Sequence, residues 1–236
     1  MASPWLPLPC LNSSKMRRHI VCLGDSNTHG YCPDPSDCTD GPCLRFNEAE
    51  RWPCLLQQTL GPSFLVVEEG LPGRTTVFDD PVEEGLSALS YLRSCLKSHE
   101  PVDLLVVMLG TNDSKERFGA NAYTIGRGME RLVKAAQALD CWGPGGTPNI
   151  LIIAPKSIEE GVYTSPVAGE MGPDCVEKTR GLAAEYEAVA RRTGCAFLDA
   201  NTLGLTCNTV DYMHLTRESH ARLAQALAAL IPTLII

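Results

Sequence analysis

Short runs of hydrophobic residues alternate with amphipathic segments along most of the chain. The runs are almost uninterrupted by polar residues, which is typical of strands covered on both faces of a sheet. They predict strands over 19–23, 64–67, 103–109 and 149–154, and a weaker strand over 196–198. Between them, hydrophobic residues at helical spacing predict helices near 48–60, 83–97, 121–139, 174–193 and 216–230. This order predicts an α/β fold in which helices cover both faces of a parallel sheet.

Three polar residues stand where a side chain can accept a hydrogen bond from the first turn of a predicted helix. They are Asn121, Asp174 and Thr216. At the other end of the chain, Pro232 predicts the end of the last helix, because proline has no N–H to donate inside a helix.

The composition is that of an ordinary globular protein, with 44% hydrophobic and 20% charged residues, and it excludes a disordered chain. The length of 236 residues predicts one domain over 16–236. The proline-rich start, 1–15, is predicted to be an extension outside the fold. Acidic residues outnumber basic ones, 28 to 20, without a long basic run. We therefore expect neither a nucleic acid nor a membrane surface as a partner.

Eleven cysteines stand out in this composition. The chain has no CxxC pair, and its start lacks the positive region of a signal peptide, so we expect free thiols in a cytoplasmic protein. Cys32, Cys38 and Cys43 lie in one segment. They are the only cysteines whose spacing would allow a disulfide or a metal site. Asp211 and His214 could also form a metal-binding pair, but no second cluster of His, Asp and Cys with ligand spacing accompanies them, and no metal is expected in the function.

Candidate catalytic residues follow the predicted strands, at the sheet edge where α/β proteins bind ligands. The first strand leads into Gly24-Asp25-Ser26-Asn27, where Ser26 is placed either to act as a nucleophile or to cap a helix. Asn112 follows the third strand, and its amide is either an oxyanion donor or part of a turn. Gly73 follows the second strand, and it either lets the backbone approach a ligand or simply forms a turn.

A carboxylate and a histidine lie close together just before the last predicted helix. Asp211 precedes His214 by three residues, so its carboxylate can reach Nδ1 of the imidazole and hold the ring in one tautomer. A surface aspartate next to a half-buried histidine is the alternative. His29 lies near Ser26 but lacks a carboxylate at this spacing, and we expect it to have a loop role instead.

These segments resemble the four sequence blocks of the SGNH (GDSL) hydrolases. The blocks are GDSN at 24–27, Gly73, GTND at 110–113 and DYMH at 211–214. The chain is most similar to the bacterial arylesterase/acyltransferase branch, through Arg51-Trp52, EEGLPGRTT at 68–76 and MLGTND at 108–113. The resemblance extends from about Arg18 to Leu230. It implies a flavodoxin-like three-layer α/β/α sandwich with a central parallel five-stranded sheet.

The resemblance also implies a role for each matching residue. Ser26 would be the nucleophile, His214 the general base and then acid, and Asp211 the residue that orients it. The oxyanion hole would consist of the N–H groups of Ser26 and Gly73 and the side chain of Asn112. Substrate-binding or supporting positions would be Asp25, Asn27, Pro72, Arg74, Asp113 and Trp52. For Arg74 we expect a salt bridge with Glu68, Asp79 or Asp80, and for Trp52 mainly a packing role.

A family member of this kind would hydrolyse short-chain acyl esters of aryl, alkyl or sugar alcohols through an acyl-serine intermediate, without a cofactor. Acyl transfer is a further activity that the resemblance implies, and assembly into a homo-oligomer is expected. Alternative functions are carbohydrate O-deacetylation, a lysophospholipase or thioesterase activity, and a catalytically silent binding protein.

Overall fold

The computed structural model describes residues 16–40 and 44–235, so the extension predicted over 1–15 lies outside the described residues. Five strands form one sheet, and all neighbouring strands are parallel. They are β1 Arg18–Gly24, β2 Phe64–Gly70, β3 Leu104–Met108, β4 Ile150–Ala154 and β5 Ala196–Asp199. Each predicted strand is thus present, within a few residues of its predicted bounds.

The strand order across the sheet is β2-β1-β3-β4-β5, which is the order of flavodoxin-like folds. The register places Gly24 beside Gly70 on one side and beside Met108 on the other. The first three strands along the chain therefore end at the same level of the sheet. The predicted fold class is confirmed.

Seven α-helices lie between and around the strands in the described residues. They are α1 Ser26–His29, α2 Trp52–Leu60, α3 Ala88–Ser98, α4 Ala122–Gln137, α5 Ala168–Met171, α6 Cys175–Thr193 and α7 Arg217–Leu234. Side chains of α3, α4 and α6 pack in one core on one face of the sheet, and those of α2 and α7 pack in a second core on the other. The two cores explain why β3 and β4 are buried at every position.

The helix ends agree with the predicted caps at two positions of three. Asn121 accepts from the N–H of Thr124, and Thr216 accepts from the N–H of Ser219. Asp174 stands at the start of α6 with a φ of 64°, but its side chain makes no cap hydrogen bond.

Three helix boundaries were predicted wrongly, and one of them is the start of the helix near 48–60, which begins at Trp52. The last helix does not stop at Pro232 but runs to Leu234, because the N–H of Ile235 still donates to Ile231 and closes the final turn. The helix predicted from residue 83 begins at Ala88 instead. Residues ahead of it are held by the loop after β2, where the N–H of Thr75 donates to the carbonyl oxygen of Leu86.

The carboxyl ends of the strands form one edge of the sheet, and long loops follow them. One of these loops is the segment 155–173 after β4, with α5 near its end. Within the described part of the chain, no helix combines the length and apolar character needed to cross a membrane.

Candidate active site

Three side chains from distant parts of the chain form a continuous line of hydrogen bonds at this edge. Nδ1 of His214 lies 2.6 Å from Oδ2 of Asp211, and Nε2 of His214 lies 2.7 Å from Oγ of Ser26. All three residues are buried, with Ser26 at 5% and His214 at 6% exposure. A serine, a histidine and a carboxylate in this order can remove a proton from the serine hydroxyl and hold it on the imidazole.

The turn between β1 and α1 places Ser26. A Cβ at Gly24 would lie 1.9 Å from Oγ1 of Thr28, so no larger residue fits at the end of the strand. The side chain of Asp25 caps α1 by accepting from the N–H of Asn27. Complete burial raises the pKa of Asp25 to about 6. Asp25 therefore supports the turn, and no hydrogen bond joins its side chain to the serine hydroxyl among the described residues.

Asn27 joins the serine turn to the histidine segment. Its Nδ2 donates to the carbonyl oxygen of Met213 at 3.2 Å, and its Oδ1 accepts from the N–H of Leu215 at 2.9 Å. These two bonds flank His214, so they hold the imidazole against Ser26. The resemblance implied a supporting position for Asn27, and in the structure its side chain connects the turn of Ser26 with the segment around His214.

The tight turn that carries Asp211 and His214 depends on Asn208. Its Nδ2 donates to the carbonyl oxygen of His214 at 2.9 Å, and its Oδ1 accepts from the N–H of Asp211 at 3.1 Å. Within the turn, Tyr212 has a left-handed φ of 61°. A residue other than glycine costs free energy in the left-handed region, and the surrounding hydrogen bonds hold this strained turn in place. Sequence reasoning missed Asn208, since nothing marks it apart from its neighbours.

Three potential oxyanion donors face the same pocket as Ser26. Gly73 has a left-handed φ of 83°, and no hydrogen bond among the described residues uses its N–H or that of Ser26. One N–H of the Asn112 amide donates to the carbonyl oxygen of Arg74 at 3.1 Å, which leaves its second N–H for a ligand. The structure thus brings together all three predicted donors.

Asp113 ties two of the loops that carry these donors. It is fully buried and accepts from both the N–H and the hydroxyl of Thr76. Burial raises the pKa of Asp113 to about 6. Two links therefore join the loop of Gly73 to the loop of Asn112. One is the hydrogen bond from Asn112 to Arg74, and the other is the pair of bonds from Thr76 to Asp113.

The salt bridge expected for Arg74 is not formed. Its guanidinium donates to the carbonyl oxygens of Gly24 and Glu69 and lies 5.0 Å from the ring centroid of Tyr91. Glu68 pairs with Arg51 instead, with Nε and Oε2 at 2.6 Å. The reason is that Arg74 is buried at the sheet edge, where backbone carbonyl oxygens are within reach. Arg74 still supports the site, because it binds the last residue of β1.

The remaining predicted positions divide between pocket and core. Pro72 lines the pocket around Ser26. Trp52 is 1% exposed and packs in the core formed by α2 and α7, as expected, and it does not line the pocket. His29 makes no hydrogen bond with Ser26 among the described residues, and the imidazole that contacts the serine is that of His214.

A pocket of about 250 Å³ opens over Ser26 and His214. The ring of Tyr31 forms part of its wall, with its centroid 4.6 Å from that of His214. Sequence reasoning missed six of the residues around this pocket: Tyr31, Glu83, Lys115, Val167, Glu170 and Met213. Of these, Met213 lies within the DYMH block and Lys115 lies two residues after the GTND block. The others come from loops whose sequences carry no signal for this position.

The cysteine segment lies beside this site. Cys32 and Cys38 pack with Phe46 in a small cluster, and Sγ of Cys32 donates to the carbonyl oxygen of Asp34. Cys43 lies outside the described residues. Across residues 16–40 and 44–235, no group of three or more His, Cys, Asp or Glu side chains is arranged to hold a metal ion.

A comparison with models of known protein families identifies the family of this chain. The model of the GDSL-like lipase/acylhydrolase family matches residues 22–222. The chain belongs to this family. The predicted resemblance to the SGNH (GDSL) hydrolases is therefore confirmed, and the matched region includes all four sequence blocks.

Solved structures of family members are similar over nearly the whole chain. An aryl esterase of M. smegmatis is 35% identical, with a TM-score of 0.82 over 92% of this chain and 99% of that one. Est24, a carbohydrate acetylesterase from Sinorhizobium meliloti, is 34% identical, with a TM-score of 0.81 over 92% and 100%. Among curated proteins, no sequence matches this chain. Family membership and these neighbours support ester hydrolysis as the class of reaction.

Proposed function

We propose that this family member is a serine esterase in which Ser26 attacks the carbonyl carbon of a small ester. The observation that carries the proposal is the line of hydrogen bonds from Asp211 through His214 to Oγ of Ser26, at 2.6 and 2.7 Å. His214 takes the serine proton as the new C–O bond forms, and the carbonyl becomes an oxyanion. When the intermediate collapses, the bond to the alcohol breaks and His214 gives the alcohol its proton.

A second addition completes the cycle. Water loses a proton to His214 and attacks the acyl-serine, and collapse releases the acid and returns the proton to Ser26. An alcohol in place of water would instead give a new ester, which is the acyl transfer implied by the resemblance. The chain's own side chains supply each proton transfer, so the proposed reaction includes no cofactor.

Asp211 is suited to stabilise the imidazolium that forms in both steps. Burial raises the pKa of its carboxyl, but the hydrogen bond and charge of His214 outweigh this effect and hold the pKa below its usual value. Asp211 therefore stays ionised at neutral pH. The oxyanion would receive hydrogen bonds from the N–H groups of Ser26 and Gly73 and from the Asn112 amide, a type of interaction that contributes about 3–4 kcal/mol per donor.

The size and lining of the pocket favour short acyl groups. Its volume of about 250 Å³ is just below the usual range for small-molecule sites, and its wall includes charged side chains. A lysophospholipase or long-chain thioesterase would need a longer apolar groove. We therefore propose acetyl-type esters of aryl, alkyl or sugar alcohols as substrates.

Carbohydrate O-deacetylation is a second candidate, favoured by the polar side chains at the pocket. Tyr31, Glu83, Lys115 and Glu170 all line it, and such groups can bind the hydroxyls of a sugar. The carbohydrate acetylesterase among the similar structures supports this candidate. A comparison of acetylated sugars with aryl acetates separates the two.

Turnover of p-nitrophenyl acetate tests the proposed function. The wild type should release p-nitrophenol with a burst, and Ser26→Ala should lose several orders of magnitude in kcat/KM. Ser36→Ala is the matched control, since Ser36 lies in an exposed loop and bonds only with Asp34 among the described residues. Full activity in Ser26→Ala, or none in the wild type, would show that the mechanism is wrong.

A further inference from the structure

We propose that Glu170 is a specificity-determining residue, whose side chain separates the reaction pocket from a second cavity and thereby limits the length of the ester. This inference rests on the proposed esterase function. It concerns the chain's own loop after β4, for which neither the motifs nor the comparisons assign a role.

Glu170 lines two cavities of the described structure. On one side lies the pocket of about 250 Å³ that contains Ser26 and His214. On the other lies a surface cavity of about 420 Å³, lined also by Val82, Glu116, Arg117 and Gly169. Glu170 is the one residue that these two linings share. Removing its side chain would therefore connect the space above Ser26 with the outer cavity.

Ion pairs hold Glu170 in this position. Its Oε1 lies 2.5 Å from Nζ of Lys115 and 3.1 Å from Nη2 of Arg117. Arg117 in turn lies 3.6 Å from Oδ1 of Asp80. The network therefore joins the loops that follow β2, β3 and β4.

The burial of Lys115 makes this wall costly to open. The Lys115 side chain is only 6% exposed, whereas that of Glu170 is 51% exposed. Burial raises the pKa of Glu170, but the hydrogen bond with Lys115 and the nearby positive charges outweigh it and hold the pKa below its usual value. If Glu170 swung aside, it could remain solvated, but the Lys115 ammonium would lose its carboxylate while still buried.

An apolar acyl or alkyl chain cannot replace that carboxylate. A chain long enough to reach the wall would have to displace Glu170 and leave Lys115 unpaired, so it gains little from the outer cavity. Exposed ion pairs are weak, but a pair with one nearly buried partner resists separation more strongly. The wall therefore discriminates by chain length and not by the chemistry at Ser26.

The test compares p-nitrophenyl acetate with p-nitrophenyl hexanoate in the full-length chain. Glu170→Ala removes the wall, while Glu170→Gln keeps nearly the same volume and hydrogen-bonding reach. Glu160→Ala is the matched control, because Glu160 lies in the same loop, forms an exposed pair with Arg180 at 2.9 Å and does not line the pocket. The quantity compared is the ratio of kcat/KM for hexanoate to that for acetate, with a thermal melt for each variant.

We expect the ratio to rise about tenfold or more in Glu170→Ala. In Glu170→Gln the rise should be smaller, by a factor of about three or more. In Glu160→Ala it should stay within about twofold of the wild type. A ratio within about twofold of the wild type in a folded Glu170→Ala would overturn the inference. So would an equal rise in Glu160→Ala.

Failure of the proposed function gives a different result, in which neither the wild type nor any variant hydrolyses either ester. The wall is then tested by crystal structures of the wild type and Glu170→Ala. One continuous cavity in the variant supports the inference. Two cavities that stay separate, with another side chain between them, contradict it.

Discussion

Nε2 of His214 lies 2.7 Å from Oγ of Ser26, although 188 positions separate the two residues in the chain. The side chain of Asn27 spans the same gap with hydrogen bonds on both sides of His214. The residue after the candidate nucleophile therefore positions its candidate base. The catalytic geometry depends on contacts between the first turn and the last loop of the fold.

The carboxylate of Asp211 should be needed for its charge and its hydrogen-bonding direction. In Asp211→Asn the amide can point an N–H at Nδ1, which favours the wrong tautomer of His214, and kcat should fall by about 10⁴. The measurement is the rate with p-nitrophenyl acetate. Asp140→Asn is the control, because Asp140 is 85% exposed and, within the described part of the chain, forms an ion pair with Lys97 alone. Equal loss in both variants would exclude this role for Asp211.

Asn112 should act mainly in the transition state. Asn112→Ala removes one oxyanion donor, so kcat should fall by about 10²–10³ while KM changes little. Steady-state kinetics separate the two parameters. Asn121→Ala serves as the control, since it removes only the cap of α4 and should cost about 1 kcal/mol of stability without changing kcat. An effect of Asn112→Ala on KM alone would contradict the proposed role.

Glu130 should stabilise the fold in a pH-dependent way, far from the active site. Its oxygens lie 2.7 Å from Lys134 and 2.7 Å from Arg192, and hydrogen bonds with these residues lower its pKa from 4.5 to about 2. Because the folded pKa is below the unfolded one, the stabilisation is fully present above pH 4.5 and is lost as the pH falls towards 2. Glu130→Gln should therefore be less stable than the wild type at pH 7, by about 1–2 kcal/mol.

Urea denaturation at pH 7 and at several values below 4.5 measures this effect. The difference between wild type and Glu130→Gln should shrink steadily as the pH falls. Glu187→Gln is the control, because Glu187 forms an exposed pair with Arg191. Its effect should stay within about 0.5 kcal/mol. A difference for Glu130→Gln that does not change with pH would rule out the ion pairs as its cause.

Trp52 should matter for stability and not for substrate binding. It is 1% exposed in the core between the sheet and the helices α2 and α7, so Trp52→Ala should cost about 3–5 kcal/mol of unfolding free energy. The KM of the folded fraction should equal that of the wild type. Tyr123→Ala, at a site 62% exposed, should change stability by less than about 0.5 kcal/mol. A raised KM in Trp52→Ala would show instead that Trp52 contributes to substrate binding.

The strands and the four sequence blocks could be predicted because their signals are local. Buried strands such as β3 and β4 need continuous hydrophobic residues, and a sharp turn such as that at Gly24 admits no side chain. The element bounds were less predictable. The backbone of Thr75 forms hydrogen bonds with the backbones of Leu86 and Ala88, so α3 starts later in the chain than predicted. No periodicity within 83–97 could reveal it.

The partners of individual charges could not be predicted either. Arg74 has four acidic residues near it in sequence, yet it binds backbone carbonyl oxygens at the sheet edge. Glu170 and Lys115 are far apart in the chain and contact each other only because two loops fold over one pocket. Such pairings depend on how the sheet arranges the loops that follow its strands, and no local sequence pattern encodes that arrangement.

The sequence by itself determined the class of fold, the order of the strands along the chain and the residue types available for catalysis. Hydrophobic periodicity and turn chemistry act over a few residues, so they can be recognised without coordinates. The tertiary structure decided that Ser26, Asp211 and His214 meet, that Trp52 stays in the core, and that Glu170 pairs with Lys115 at the pocket. Those outcomes arise from long-range packing, because burial and charge pairing depend on which segments the sheet brings together.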